Sequence, residues 1–416
     1  MTTAVGGDVA EPVLLQGATV FDGESFRTDV GGVLIEGGRL RVLPHLVASD
    51  ATPDAVRVVD LSGSTLAPGL IDTHVHMTTS TGNALSGFAE HFSMQFYRSV
   101  ANLATTLRAG VTTVRDAGGL DAGARQAIED GVVDGPRLRV AVSLMSQTGG
   151  HADGWLPSGV AHPVMGEHPG RPLGVADGVD EVRKVARRIL RAGADQIKIC
   201  STGGVMSPGD DPRHAQFTVD EITAIVEEAE AQGKYVMAHA QGSKGIANAV
   251  RAGARSIEHG IYLDEETVGL MLDRGAFLVP TLLAPLQVLR MVDRGVPIAA
   301  GVVEKARAVI DRHRRSVSLA ARAGVPIAMG TDAGVGPHGE NLDELALLSE
   351  CGLSVEASLA AATSVAARLM RLEDVGRIAD GAVADLAVFS GDLRTDGLQG
   401  VGARVVQVWK AGRQVR

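Results

Sequence analysis

Hydrophobic and polar positions alternate differently at the two ends of the chain and in its middle. Residues 13–66 consist of short apolar runs separated by Gly and Asp, as in "VLLQGATVFDG" and "GGVLIEGGRLRVL", and residues 375–416 have the same texture. Short apolar runs between tight-turn residues are typical of antiparallel strands. We therefore expect residues 1–66 and 375–416 to pair into one small β-sandwich domain.

The middle of the chain alternates apolar strands with amphipathic helical stretches. This is the pattern of βα units and of a parallel sheet. Eight such units predict an α/β fold, a (β/α)8 TIM barrel over residues 67–374, whose active site lies at the carboxyl ends of the strands. The strand candidates are residues 69–77, 111–118, 138–145, 196–202, 235–240, 256–261, 277–282 and 326–334.

Two helices can be placed with particular detail. Residues 181–194 carry apolar side chains every three or four positions, which predicts one buried helical face. A second helix is expected to begin after Thr218, because Glu221 three residues later completes a capping-box pattern. Gly233 is a suitable stop for that helix.

Composition and charge narrow the class of partner. The 416 residues carry a net charge of −10, which argues against a nucleic-acid partner, since such a partner needs a basic face. No run of 18 apolar residues predicts a membrane span, and the first residues do not resemble a secretion signal. The two cysteines, Cys200 and Cys351, are too few for a disulfide framework, so a reducing cytoplasm is the expected location.

Six polar residues fall at or near the same end of the predicted strands. His74 and His76 lie two apart on the first strand, so their side chains point to the same side. Lys198 interrupts the apolar fourth strand, and lysine is rarely buried without a partner. The others end the fifth, sixth and eighth strands and are His239, His259 and Asp332. A lone His-x-His pair has ordinary structural explanations, whereas the complete set predicts a metal site.

The motifs around these residues resemble those of the amidohydrolase superfamily over nearly the whole chain. They are "PGLIDTHVHM", "GADQIKICSTGG", "VMAHAQG", "SIEHGI" and "MGTDAG". The resemblance implies a centre of two divalent metal ions, usually zinc. It further implies that His74 and His76 bind the buried ion with Asp332, that His239 and His259 bind the outer ion, and that Lys198 is carboxylated by CO2 and bridges both.

The resemblance also implies a mechanism that suits these residue types. A lysine ammonium cannot bind a cation, but its carbamate is an anion with two oxygens, and imidazole and carboxylate are good zinc ligands. Two ions lower the pKa of a bridging water, so that hydroxide is available to attack a carbonyl near neutral pH. Asp332 is expected to act as the general base and to pass the proton to the leaving amine.

Within the superfamily, two segments narrow the substrate. "KYVMAHAQGSKGIANAVRAGARSIEHG" and "SPGDDPRHAQFTVDEI" resemble a bacterial subgroup of dipeptidases, the prolidases, which cleave Xaa-Pro or related N-acyl amino acids. The alternatives are an N-acyl amino acid amidase of the ochratoxin type and a ring-opening hydrolase like imidazolonepropionase. A non-catalytic barrel is disfavoured, because every expected ligand position is intact. The expected partner is a dipeptide or another small molecule, and homo-oligomerisation is left open.

Four residues are candidates for contacting the substrate. His151 follows two glycines in the long loop 147–174, which is placed to face the site. Arg213 could bind a carboxylate or be a surface cation, and Tyr235 could bind substrate or pack at the start of its strand. His338 follows the eighth strand and could hold the substrate or cap the helix that begins near Asn341.

Overall fold

The secondary structure of the protein follows the predicted order of terminal strands and central βα units. The structure is a computed structural model, and it describes residues 11–44, 56–79, 90–155, 158–160, 165–207 and 209–416. The strands are β1 (Val13–Gln16), β2 (Thr19–Phe21), β3 (Phe26–Arg27), β4 (Gly32–Glu36), β5 (Arg39–Leu43), β6 (Arg57–Asp60), β7 (Ser64–Pro68), β8 (Leu70–Val75), β9 (Val111–Asp116), β10 (Arg137–Val140), β11 (Leu144–Met145), β12 (Ile197–Cys200), β13 (Val236–Ala240), β14 (Ser256–His259), β15 (Phe277–Val279), β16 (Leu386–Ser390), β17 (Val405–Lys410) and β18 (Arg413–Gln414).

Helices occupy the connections of the central region. They are α1 (Met94–Arg108), α2 (Ala122–Glu129), α3 (Val179–Arg191), α4 (Val219–Glu230), α5 (Ser243–Arg251), α6 (Glu265–Arg274), α7 (Leu283–Asp293), α8 (Ala300–Ala323), α9 (Asp343–Glu350), α10 (Val355–Ala361), α11 (Ser364–Leu369) and α12 (Leu393–Asp396), with a 3-10 helix at Val401–Arg404. The capping box of Thr218 and Glu221 is present at the start of α4. In the described ranges, no helix combines the length and the apolar character needed to cross a membrane.

Strands from the two ends of the chain share one sheet. A six-stranded sheet has the order β18-β17-β16-β7-β2-β3, and in it β16 pairs antiparallel with β7. A second sheet, of order β5-β4-β1-β6, contains only strands from the amino-terminal segment. Both sheets contribute to one buried apolar cluster, with Leu15 and Ile35 from the four-stranded sheet and Leu66, Leu386 and Trp409 from the other. The two chain ends are thus joined both by backbone hydrogen bonds and by a common core.

The central strands are all parallel and lie in two sheets. Their orders are β10-β9-β8 and β11-β12-β13-β14-β15. The predicted third strand, 138–145, is divided into β10 and β11, because Val142 between them has a positive φ of 66°. As a result, β10 pairs with β9, and β11 pairs with β12. The chain thus forms two short strands where one extended strand was predicted.

The predicted eighth strand, 326–334, is not a regular strand. It makes isolated parallel bridges, one between Leu278 and Ile327 and one between Val75 and Ala333. The φ of Asp332 is 57°, which interrupts an extended backbone. The segment nevertheless bonds to β15 and to β8, through Ala328 N to Leu278 O (2.9 Å) and Thr73 N to Met329 O (2.9 Å). It therefore lies between the two central sheets.

Candidate metal centre and active site

Strand alternation brings the six predicted ligand residues toward one region. Ile197 and Ile199 on β12 belong to the main apolar core together with residues of α3 and α4, so Lys198 between them faces the other side of the strand. Register then aligns the strand ends, since Cys200 pairs with His239 and Ala240 pairs with His259. Polar side chains of three neighbouring strands are consequently collected at the carboxyl ends.

The inner part of the cluster contains two histidines, an aspartate and the lysine. Asp332 Oδ1 lies 3.5 Å from His74 Nε2 and 3.4 Å from His76 Nε2. One ligand atom from each of these three residues lies within 4.8 Å of the others, an arrangement that could hold a metal ion. Lys198 Nζ lies 3.1 Å from His74 Nε2, and Lys198 makes no salt bridge within the residues that the structure describes. These four side chains therefore lie close together.

The outer histidines adjoin the inner group. The rings of His239 and His259 are 4.6 Å apart, and the ring of His259 is 5.1 Å from that of His74. His259 has a φ of 75° and Asp332 a φ of 57°, in the left-handed region that non-glycine residues seldom adopt. Such backbone strain persists where the surrounding structure fixes it, and it clusters at functional sites.

Hydrogen bonds made by Nδ1 determine which nitrogen of each inner histidine keeps its lone pair. His74 Nδ1 donates to Glu258 Oε2 at 2.8 Å, and His76 Nδ1 donates to the Gly118 carbonyl at 2.9 Å. A carboxylate and a carbonyl only accept, so the proton of each neutral ring is on Nδ1. Nε2 of both rings, the atom directed at Asp332, then has the lone pair that a metal ion needs.

The outer histidines are oriented in the same way. His259 Nδ1 lies 2.7 Å from Thr281 Oγ1, and His239 Nε2 donates to the Gly203 carbonyl at 3.0 Å. His239 therefore has its lone pair on Nδ1, and donation by His259 to the Thr281 hydroxyl leaves Nε2 of that ring free. Partners of this kind on the second nitrogen are the usual support of metal-bound histidines.

Burial sets the protonation of the cluster before any metal binds. It lowers the pKa of His74, His239 and His259 well below the usual value and lowers the pKa of His76 as well. Burial also lowers the pKa of Lys198, against the opposite effect of the nearby carboxylates. Neutral imidazole is the form that binds metal ions, so the donor set fits a divalent cation.

An ion pair beneath the histidines was missed by the sequence analysis. Arg115 and Glu258 are both fully buried, and Arg115 Nη2 donates to Glu258 Oε1 at 2.9 Å. Arg115 also donates to the Thr73 carbonyl at 2.6 Å, and Ser256 Oγ donates to Glu258 Oε1 at 2.5 Å. The signal was present in the sequence, since "SIEHGI" places a glutamate directly before His259 inside an apolar strand.

Glu258→Gln is expected to weaken zinc binding by about 10- to 100-fold, because the carboxylate that orients His74 loses its charge. The free energy of unfolding of the metal-free protein should fall by about 3 kcal/mol, since the Arg115 charge stays buried without its counter-ion. Competition with a chromophoric chelator measures the affinity, and urea unfolding measures the stability. Glu266→Gln is the matched control, because Glu266 is 82% exposed. Equal zinc affinity in the two variants would contradict the orienting role.

Among the predicted substrate contacts, the structure brings His151 to the cluster. Its ring stacks on that of His239, with centroids 4.2 Å apart and planes 19° from parallel. Arg213 lies on the loop between β12 and α4, where its side chain is 68% exposed and paired with Asp211 at 2.6 Å. His151 is therefore next to the candidate ligands, whereas the Arg213 guanidinium is directed to its own neighbour.

The other two predicted contacts, Tyr235 and His338, are engaged with other parts of the protein. Tyr235 precedes β13, about 13 Å along the strand from His239. Its buried ring lies among guanidinium groups, 5.7 Å from Arg255 and 5.5 Å from Arg371. His338 Nε2 donates to the Thr79 carbonyl at 2.9 Å, in the loop that follows His76. The structure does not bring Tyr235 to the cluster, and it uses His338 to join two loops.

Comparison with known proteins gives extensive similarities. The profile of the amidohydrolase family matches residues 65–415. The ochratoxinase of Aspergillus niger is 34% identical over 363 residues, which cover 84% of this chain and 75% of that protein. A solved prolidase complexed with N-methylphosphonate-L-proline is 37% identical, with a TM-score of 0.88 and coverage of 97% and 99%. A solved Xaa-Pro dipeptidase with methionine in its active site is 32% identical, with a TM-score of 0.87 and the same coverage.

Proposed function

The chain belongs to the amidohydrolase family and is a hydrolase of C–N bonds, and on that premise we propose that it is a metal-dependent dipeptidase cleaving Xaa-Pro or a related N-acyl amino acid. The observation that carries the proposal is the joint arrangement of His74, His76, Asp332 and Lys198 with the outer histidines. The similarity to a prolidase and to a Xaa-Pro dipeptidase over 97% of the chain supports the substrate class.

The proposal includes the architecture of the whole chain. Residues 67–374 form a (β/α)8 barrel in which the 326–334 segment takes the place of the eighth strand, as its bonds to both β15 and β8 favour. Residues 1–66 and 375–416 form a β-sandwich, which the apolar cluster shared by the two terminal sheets supports. The active site then lies at the carboxyl ends of the barrel strands, where such enzymes place it.

Two divalent ions, with zinc as the expected metal, complete the proposed site. His74, His76 and Asp332 would hold one ion, and His239 and His259 the other. Lys198, buried beside His74 without an ion pair in the described part of the chain, would bridge them as a CO2-derived carbamate. When bound, the ions supply an acidified water and polarise the scissile carbonyl.

The protein's own residues would then handle protons and orientation. Asp332 lies beside His74 and His76 with 13% of its side chain exposed, and its carboxylate would take a proton from the attacking water and deliver it to the leaving nitrogen. Water oxygen bonds to the carbonyl carbon, the C–N bond breaks, and a free amino acid leaves. His151, at the edge of the same cluster, would contact the bound substrate.

The expected setting of the reaction follows from the chain as a whole. A dipeptide or another small N-acyl amino acid is the proposed partner, without nucleic acid or membrane. The net charge of −10 argues against a nucleic-acid partner. The two buried cysteines, which form no disulfide, favour a cytoplasmic location. Homo-oligomerisation is compatible with the proposal and is not required by it.

A kinetic screen of the zinc-loaded enzyme tests the substrate. The panel contains Xaa-Pro dipeptides, other dipeptides, N-acyl amino acids and imidazolone propionate, with metal-free protein as the control. We expect the turned-over compounds to share one C-terminal residue, proline in the leading case. Hits restricted to N-acyl amino acids that are not dipeptides would favour the ochratoxinase-like alternative, which the 34% identity supports. Turnover of imidazolone propionate alone would overturn the dipeptidase proposal.

A further inference from the structure

A lysine of α8 holds the loop that contacts the candidate ligand His239. This β12–α4 loop comprises residues 201–218, of which residue 208 lies outside the described ranges. Lys305 Nζ donates to three of its backbone carbonyls, those of Gly204 at 3.1 Å, Ser207 at 2.8 Å and Asp210 at 2.5 Å. Nζ also lies 3.7 Å from Asp210 Oδ1. One ammonium group thus uses all three of its donors to hold a single loop.

The same loop fixes the ring of His151. Ser207 Oγ has one proton, and its neighbours Asp210 Oδ1 and the Gly204 carbonyl at 3.4 Å can only accept it, so Oγ accepts from His151 Nδ1 at 2.7 Å. Asp210 Oδ2 lies 3.5 Å from the same nitrogen. The proton of a neutral His151 is therefore on Nδ1. The second nitrogen, Nε2, is not enclosed and has no hydrogen-bond partner among the described residues.

Close packing restricts the ring further. A Cβ at Gly204 would lie 2.1 Å from His151 Cε1, so only glycine allows the loop to lie this close to the imidazole. The ring also stacks on His239, which donates to the carbonyl of Gly203 in the same loop. The position and the tautomer of His151 consequently both depend on where this loop lies.

The helix that carries Lys305 supports a second loop of the site. His313 Nε2 donates to the His259 carbonyl at 2.8 Å, and Ser316 Oγ donates to the Ile261 carbonyl at 2.7 Å. Residues 305, 309, 312, 313 and 316 share one helical face because they are three or four positions apart. One face of α8 thus contacts both the loop that follows β12 and the end of β14, where His259 lies.

We propose that Lys305, Ser207 and Asp210 are positioning residues that act through His151, holding its ring so that Nε2 faces the carbonyl or carboxylate of the substrate. Lys305 fixes the loop, Asp210 orients the Ser207 hydroxyl, and that hydroxyl accepts the Nδ1 proton. This rests on the proposed function, because it takes His151 to be a substrate contact. None of the three residues is required to touch the substrate.

A double-mutant cycle with His151 tests the proposal, using whichever amide substrate the enzyme turns over. Ser207→Ala and Lys305→Met should each lower kcat/KM by about 10- to 100-fold, since small misplacements of a contacting group have effects of this size. Ser207→Thr, which retains the hydroxyl, should restore most of the loss. In a His151→Ala background, the same substitutions should change kcat/KM by less than about threefold. Arg307→Met is the control, because Arg307 is exposed on the same helix.

Undiminished effects of Ser207→Ala and Lys305→Met in the His151→Ala background would overturn the proposal, as would failure of Ser207→Thr to rescue. A second measurement does not need turnover and therefore separates this proposal from the proposed function. Hydrogen–deuterium exchange of the 201–218 loop should rise in Lys305→Met and stay unchanged in Arg307→Met. Equal exchange in the two variants would refute the anchoring role even if no dipeptide is cleaved.

Discussion

Asp332→Asn is expected to lower kcat by on the order of 10²- to 10⁴-fold, the range that a positioned general base contributes. Asn has nearly the shape of Asp and keeps one carbonyl oxygen near His74 and His76, but it cannot accept the proton of the attacking water. Zinc content should therefore change far less than turnover. Steady-state kinetics together with elemental analysis of the same preparation measures both quantities.

The control for Asp332 is a second aspartate that lies outside the site. Asp293, exposed at the end of α7, can be replaced by Asn without an expected effect on kcat. Turnover of the Asp332→Asn variant at the rate of Asp293→Asn would rule out Asp332 as the base. Loss of zinc in parallel with turnover would show that Asp332 acts mainly as a ligand.

Lys198→Ala is expected to lower the activity by at least about 100-fold. It should also reduce the zinc content from about two ions per chain toward one. The physical reason is that the proposed bridge between the two ions is lost, together with its negative charge. Short carboxylic acids such as acetate should restore part of the activity, because they can occupy the space of the carbamate. Zinc analysis and kinetics across a series of acid concentrations measure the effect.

Lys198→Arg separates the carbamate from a merely structural cation. Arginine keeps a positive charge on a side chain of similar length but is not expected to form the carbamate. The Lys198→Arg variant should therefore be as inactive as Lys198→Ala. Metal-free wild-type protein should regain activity faster with zinc and bicarbonate than with zinc alone. An active Arg variant, or reconstitution that is indifferent to bicarbonate, would count against carboxylation of Lys198.

The sequence located the elements of the site because strand periodicity and motif position depend on neighbouring residues. The alternation in "QIKIC" places Lys198 opposite the apolar core, and the structure agrees. The helical periodicity before Gly193 and the capping box at Thr218 were likewise confirmed in α3 and α4. The prediction for residues 138–145 and 326–334 was less accurate, because left-handed backbone at Val142 and Asp332 depends on packing between strands.

The sequence by itself identified the residues that could bind a metal ion and placed them at or near the carboxyl ends of neighbouring chain segments. Only the tertiary structure decided which partners surround those residues. Arg115 and Glu258 are 143 positions apart, and Lys305 and Gly204 are 101 positions apart. Contacts over such separations depend on the register of strands and the rotation of helices, which no local pattern specifies. For the same reason Tyr235, a plausible contact from its place in the chain, lies at the other end of β13 from His239.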